Sequence, residues 1–111
     1  MTWKGPHTLT THNVRRRVDE DKHGIYMLYN TWGGPPRYVG RSHGKNLSGR
    51  LQMRAREDDY RYFKYEYASS KTKAFEHEAN LWHRHGSTIE NKKHPERPHE
   101  NVVCSQCNYP S

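Results

Sequence analysis

The sequence predicts a small α/β (α+β) domain in which helices flank a mostly antiparallel, three-stranded sheet. An aromatic, alternating run at 60–68 is typical of a strand. Two shorter β-prone runs, at 24–30 and 37–41, flank a Gly-Gly-Pro-Pro cluster, which favours a turn between paired strands. Apolar residues at helical spacing over 47–57 and 70–85 add two helices.

Length and composition indicate one domain with two polar ends. The chain has 111 residues, and eight tyrosines, three tryptophans and two phenylalanines supply large surfaces for a core, although only 31% of the residues are hydrophobic. These side chains concentrate in the middle of the chain. We therefore expect an ordered core at 24–86, a basic arm with a short helix at 1–23, and an irregular tail at 87–111.

The charge balance points to a polyanionic partner. The formal net charge is +7, and nine histidines add to it below neutral pH. Aromatic residues among the basic ones favour nucleic acid, although many basic domains bind none. No run approaches the ~20 apolar residues of a membrane span, and no charged-then-apolar leader begins the chain. We expect a cytoplasmic protein that does not bind a membrane.

The N-terminal segment is predicted to be an arm followed by one short helix. Residues 1–11 show no hydrophobic period, so we expect no regular structure there. A helix is expected over His12–Lys22, with Thr11 as its cap and with Val14 and Val18 at i, i+4 on one face.

The core elements follow from local periodicity. Ile25, Met27 and Tyr29 recur at every second position of the first strand. Leu47 and Leu51 lie one helical turn apart in the first core helix.

The last predicted helix carries an unusual carboxylate. Ser70 is a suitable cap for this helix, and Glu78 lies between Ala74 and Leu81 on its apolar stripe. A buried, ionised carboxylate is costly unless a partner arginine, a metal ion or exposure at the edge of the stripe compensates it. Periodicity alone leaves these three alternatives open.

Four spaced features together resemble the GIY-YIG nuclease family. They are Gly24-Ile25-Tyr26, then Tyr38-Val39-Gly40 with valine in place of the family's middle isoleucine, then Arg50, and then Glu78. The run Glu78-Ala79-Asn80-Leu81 is similar to the metal-binding helix of the family's excision-repair incision members. The resemblance covers residues 24–82.

The resemblance implies a metal-dependent DNA endonuclease that hydrolyses phosphodiester bonds. It makes Glu78 the single protein ligand of Mg²⁺ or Mn²⁺, which keeps several waters and takes other oxygens from the substrate phosphate. It makes Arg50 the residue that holds the scissile phosphate. Both assignments are expectations, since a solvent-facing arginine is the simpler reading of Arg50 from composition alone.

The resemblance also gives the tyrosines a catalytic role. Tyr26 is expected to be the general base that activates water, and Tyr38 to position the phosphate or the water. A phenol of pKa ~10 is a poor base at neutral pH, and Arg41 is expected to lower that pKa. His43 is an alternative proton acceptor.

Further residues are expected to contact DNA. Arg54 occupies a position where several family members have a tyrosine or histidine, and it cannot act as a base. Asn91 is the best match to the asparagine that closes the family's motif, and Asn80 and Asn101 are weaker matches. The residues expected at the DNA interface are Arg15, Arg16, Arg41, Arg54, Arg56 and Asn91.

One alternative to this nuclease assignment remains open. The arginine at position 54, where several family members have a tyrosine or histidine, is compatible with a catalytically silent module that keeps the fold and binds nucleic acid. The oligomeric state also stays open, because a monomer could nick one strand and a dimer could cut both.

The tail contains a possible structural Zn²⁺ site. His94, His99, Cys104 and Cys107 have the ligand number and softness that tetrahedral zinc prefers. The spacing is not that of a standard zinc finger, so a solvated tail and a redox pair stay open. Two cysteines imply no disulfide framework.

Overall fold

The computed structural model describes residues 3–57, 59–86 and 89–90. Within them the elements are β1 (Lys4–Thr8), α1 (Thr11–Arg17), β2 (His23–Tyr29), β3 (Tyr38–Arg41), α2 (Leu47–Glu57), β4 (Tyr62–Ala68) and α3 (Lys71–Arg84). The described strands form one antiparallel sheet in the order β1-β4-β2-β3. No helix among these residues has the length and apolar character needed to cross a membrane.

Strand β2 lies at the centre and is buried on both faces. It pairs with β4 over its whole length and with β3 over Ile25–Leu28. Successive side chains point to opposite faces of a strand. Tyr26 and Leu28 therefore join one core cluster, while Met27 and Tyr29 join another.

Helices cover both faces of the sheet. Helices α1 and α2 contribute Val14, Leu47 and Leu51 to one cluster, and Val18, directly after α1, joins it. Helix α3 packs on the opposite face through Ala74 and Leu81. The predicted α+β class and the largely antiparallel sheet are confirmed, and the helix expected at 47–57 has those bounds.

The prediction of three strands was wrong, because the N-terminal segment contributes a fourth strand. Lys4–Thr8 pairs with β4, with an irregular register between Lys4 and His7. An edge strand is held by main-chain hydrogen bonds and needs no alternating apolar pattern, so periodicity does not reveal it. Pro6 lacks an N–H donor and is tolerated at a sheet edge.

The first helix is shorter than predicted. It ends at Arg17, and Val18 adopts extended backbone with φ −101° and ψ 119°. The cap is Thr10 rather than Thr11, since the Thr10 hydroxyl accepts a hydrogen bond from the Asn13 backbone N–H at 3.1 Å. Val14 and Val18 are nevertheless both buried, as their spacing indicated.

The described chain continues to pack beyond α3. Ile89 is buried in the cluster beneath that helix, although the sequence places it in an irregular tail. The Glu90 N–H donates to the Arg37 carbonyl at 2.6 Å, and its carboxylate accepts from the Tyr60 hydroxyl at 2.6 Å. Residues 89–90 therefore pack against the β2–β3 hairpin at the end where the loop enters β3.

Two glycine substitutions test this packing, because they are expected to change the free energy of unfolding in opposite directions. Gly24→Ala is expected to destabilise the protein by about 1–3 kcal/mol, because its Cβ would lie 2.4 Å from Leu47 Cδ2 and 2.6 Å from the Glu66 carbonyl oxygen. Gly49→Ala is expected to stabilise it by about 0.5–1 kcal/mol, because that exposed helical position has no atom within 4 Å of the added Cβ. Urea unfolding measures both, and equal midpoints for the two variants would contradict the packing.

Candidate functional site

The β2–β3 hairpin brings two phenols together, as the sequence predicted. Tyr26 and Tyr38 lie on adjacent strands, on the face that α2 covers. Their ring planes are within 9° of parallel and their centroids are 6.3 Å apart. Tyr26 is buried and Tyr38 is half-buried. The pair therefore presents two hydroxyl groups at one position of the sheet.

Gly40 allows the Tyr26 ring to lie across β3. A Cβ at Gly40 would lie 2.4 Å from Tyr26 Cζ and 2.5 Å from Tyr26 Oη. Any side chain there would displace the hydroxyl group from the hairpin edge. Sequence reasoning used this glycine as part of a motif and missed its steric role, although its place opposite Tyr26 in the register was a usable signal.

Arg54 links the two phenols. Its Nε donates to Tyr26 Oη at 3.1 Å, and its Nη2 donates to Tyr38 Oη at 2.5 Å. Its guanidinium carbon also lies 4.4 Å from the Tyr38 ring centroid, within cation–π range. The sequence assigned Arg54 to DNA phosphates, whereas the structure commits its donors to the tyrosine pair.

The environment of Tyr26 keeps its phenol neutral. Burial raises the pKa of Tyr26 above its ordinary value, and Arg54 and Arg50 oppose this shift. Arg41 was expected to lower this pKa, but it lies on the opposite face of the sheet, since it is one residue out of phase with Tyr38 and Gly40. The alternation of side chains along a strand could have shown this, because Arg41 is an odd number of residues from Tyr38.

Arg41 instead forms a buried ion pair with Glu78. Arg41 Nη1 donates to Glu78 Oε1 at 2.5 Å, and the side chains are 6% and 9% exposed. The Arg41 guanidinium also lies 5.5 Å from the Phe75 ring centroid. Arg41 therefore supports Glu78 and is buried, whereas the sequence placed it at the DNA interface.

The charge state of Glu78 depends on burial and on two arginines. Burial raises the pKa of Glu78, while Arg41 and, to a smaller extent, Arg50 oppose the shift. Of the three ways to compensate this carboxylate, the structure shows the partner arginine.

Arg50 connects the two halves of the site. It is half-buried on α2, and it lowers the pKa of both Tyr26 and Glu78. Its Nε has no hydrogen-bond partner in the described structure, and its Nη1 makes a long contact of 4.0 Å to Met53 Sδ. Because β3 is an edge strand of the described sheet, groups on the two faces approach each other around it.

The remaining predicted residues lie around or outside this centre. Arg15 and Arg16 are exposed on α1, Arg56 is exposed on α2, and His43 is exposed in the loop before α2. Five predicted residues lie outside the described ranges: Asn91, His94, His99, Cys104 and Cys107.

The donor set at the centre fits a hard divalent cation that needs few protein ligands. Within the described residues, no three His, Cys, Asp or Glu side chains come together as a metal-binding group. Glu78 offers one carboxylate, of which Oε1 accepts from Arg41. Magnesium is commonly held by one or two carboxylates, with waters and substrate oxygens completing its shell. Glu78 is thus the residue that would hold it.

No protein-family model, no curated protein and no solved structure matches this chain.

The ion pair predicts a pH-dependent defect in Arg41→Met. Leaving Glu78 buried without its cation is expected to cost about 3–5 kcal/mol above neutral pH. Since burial raises the pKa of Glu78 in the folded state, the destabilisation grows as pH rises through that pKa and shrinks as pH falls.

The double variant Arg41→Met/Glu78→Met is the control for this prediction. It is expected to regain most of the lost stability and to lose the added pH dependence, because no buried charge remains. Unfolding midpoints across pH measure both variants. A single variant as stable as the wild type at every pH would contradict the ion pair.

The tyrosine–arginine contacts predict a second titration. Arg54→Gln is expected to raise the pKa of Tyr26 further, because Arg54 opposes the effect of burial. Arg56→Gln, an exposed change on the same helix, is expected to leave it unaltered. NMR titration of the tyrosine ring carbons measures the shift, and identical behaviour of the two variants would contradict the assigned contacts.

Proposed function

We propose that this protein is a metal-dependent DNA endonuclease of the GIY-YIG type, which hydrolyses phosphodiester bonds. One observation carries the proposal. Arg50 lies within electrostatic range of both Tyr26 and Glu78, at the edge strand where a paired tyrosine face meets a buried carboxylate. Pure nucleic-acid binding needs no such carboxylate.

Arg50 is the residue suited to the scissile phosphate. Arg54 and Arg41 are committed to the tyrosines and to Glu78, whereas the Nε of Arg50 has no partner among the described residues. A guanidinium binds two phosphate oxygens through parallel N–H donors. It also offsets the negative charge that develops there in the transition state.

The phenols are suited to positioning water and phosphate. Arg54 donates to both phenol oxygens, and the O–H of Tyr26, directed away from Arg54, is the one proposed to donate to substrate or water. The raised pKa of Tyr26 keeps it protonated at neutral pH. For Tyr26 to accept a proton, its phenolate would need the stabilisation that Arg54 and Arg50 offer.

Glu78 would hold Mg²⁺ or Mn²⁺, with Arg41 fixing the orientation of the carboxylate through Oε1. When bound, such an ion supplies Lewis-acid stabilisation of charge on the phosphate oxygens. Glu78 must then be ionised, which Arg41 and Arg50 favour and burial opposes.

The DNA would lie against the face formed by α1 and α2. Arg15, Arg16 and Arg56 are exposed on those helices, and α1 and α2 cover the face that carries the tyrosine pair. Contacts of this kind neutralise phosphates without reading sequence, so affinity is expected to fall steeply with salt concentration.

A catalytically silent nucleic-acid-binding module is the second candidate. The observation that favours it is that the polar groups of the centre already bind arginines of the same chain. Arg41 donates to Glu78, and Arg54 donates to both phenols. A module of this kind would retain binding in EDTA.

Plasmid cleavage tests the nuclease proposal. We expect supercoiled DNA to be nicked in Mg²⁺ and left intact in EDTA. Glu78→Ala and Arg50→Ala should each lower the rate by about a hundredfold or more, because each removes charge stabilisation from the transition state. Glu76→Ala is the matched control, since this residue lies on the same helix and pairs with Lys73 at 3.6 Å.

The outcomes separate the two candidates. Cleavage by both variants at the wild-type rate would overturn the proposed mechanism. Magnesium-independent binding by all variants, with no cleavage of linear, supercoiled or branched DNA, would establish the silent module.

A further inference from the structure

A second polar cavity lies between β4 and α3, outside the centre described above. Its volume is about 480 Å³, and its lining includes Glu66, His77 and Asn80 together with the more peripheral Lys73 and Glu76. None of these residues belongs to the proposed nuclease centre.

Two buried acceptors in this cavity have no hydrogen-bond partner. Glu66 is 7% exposed, and its Oε2 has none within the described structure. The Oδ1 of Asn80, on the facing helix, is also without one there. A buried acceptor without a partner costs free energy, and a buried carboxylate oxygen costs more than a neutral one. Both atoms can only accept, so a cation or a group with two hydrogen-bond donors can satisfy them together, and the carboxylate charge favours the cation.

The fold brings three candidate metal ligands to this cavity: Glu66 from β4, and His77 and Asn80 from α3. In the sheet, Ile25 pairs with Glu66 on one side and with Arg41 on the other, so Glu66 and Arg41 lie in one row beneath α3. Glu78 reaches Arg41, while His77 lies within electrostatic range of Glu66. Three positions further along, Asn80 shares the side of the helix that carries His77.

We propose that this cavity binds a divalent metal ion of the Mn²⁺ class through Glu66 Oε2, Asn80 Oδ1 and the His77 imidazole. A carboxylate, an amide oxygen and one imidazole without a thiolate favour a hard or borderline cation over a soft one. The cavity has room for the waters that complete its shell. Because the described residues contain no group of three His, Cys, Asp or Glu ligands, the site depends on the amide of Asn80.

Charges of both signs surround this cavity, since Arg84 lies within electrostatic range of His77 and opposes a cation there, whereas Glu66 favours one. Glu76 adds a second carboxylate to the lining. Lys73 pairs with Glu76 at 3.6 Å and its side chain is 66% exposed, so its charge lies towards solvent. This site is independent of nuclease activity.

The test is binding of Mn²⁺ to the full chain in the absence of DNA, measured by calorimetry, with NMR broadening to locate the ion. We expect Mn²⁺ to broaden the amide signals of Glu66, His77 and Asn80 before those elsewhere in the chain. Glu66→Gln should weaken this binding by about tenfold or more, since loss of even an outer-shell partner has that effect. Glu57→Gln, an exposed change on α2 away from this cavity, is the matched control, and it should retain the localised broadening.

One more variant distinguishes this site from the metal site of the proposed nuclease. Glu78→Gln removes the other carboxylate and should leave the broadening at His77 and Asn80 unchanged. Thermal unfolding of each variant without metal confirms that it is folded. Absence of Mn²⁺ binding, equal affinity of Glu66→Gln and wild type, or broadening confined to other residues would each overturn the proposal, whatever the result with plasmid DNA.

Discussion

The candidate site depends on the pairing of β2 with two strands at once. β4 occupies one edge of β2 and β3 the other, and helices cover both faces of the sheet. The side chains of β2 are therefore directed alternately to two covered faces. Tyr26 is thereby placed beneath α2, next to Tyr38, while Ile25 separates Glu66 from Arg41 beneath α3. A shift of one residue in this register would exchange the two faces and separate every pair described above.

Burial and arginine charge act in opposite directions throughout the centre. Burial raises the pKa of Tyr26 and of Glu78, and arginines lower both. Arg41 and Arg54 do so through hydrogen bonds, whereas Arg50 acts on both groups without such a contact. A phosphate that binds Arg50 would add negative charge near both groups. In the proposed nuclease, the cation held by Glu78 would offset part of that charge.

The proposed nuclease centre and the cavity between β4 and α3 use neighbouring positions of the same helix. Glu78 is directed to the edge strand, whereas His77 lies towards β4. Successive helical residues differ by about 100° in direction, so one run of sequence can serve two sites on different sides of a helix. The carboxylate at the first is neutralised by Arg41, while Oε2 of Glu66 at the second has no partner in the described structure. This difference is the reason for assigning an additional cation to the second.

The sequence by itself determined the local elements and the pairing of Tyr26 with Tyr38, because helical and strand periods and a glycine-proline turn are local properties. It placed the helix at 47–57 and identified Glu78 as a carboxylate on an apolar stripe. Tertiary structure decided which arginine meets which partner: Arg41 pairs with Glu78, and Arg54 with the tyrosines. A long cationic side chain can reach several partners. The face of the sheet on which it lies, and the helix packed on that face, determine which partner it contacts. Tertiary structure also decided the fourth strand, since Lys4–Thr8 is held at the sheet edge by main-chain pairing that leaves no hydrophobic period in the sequence.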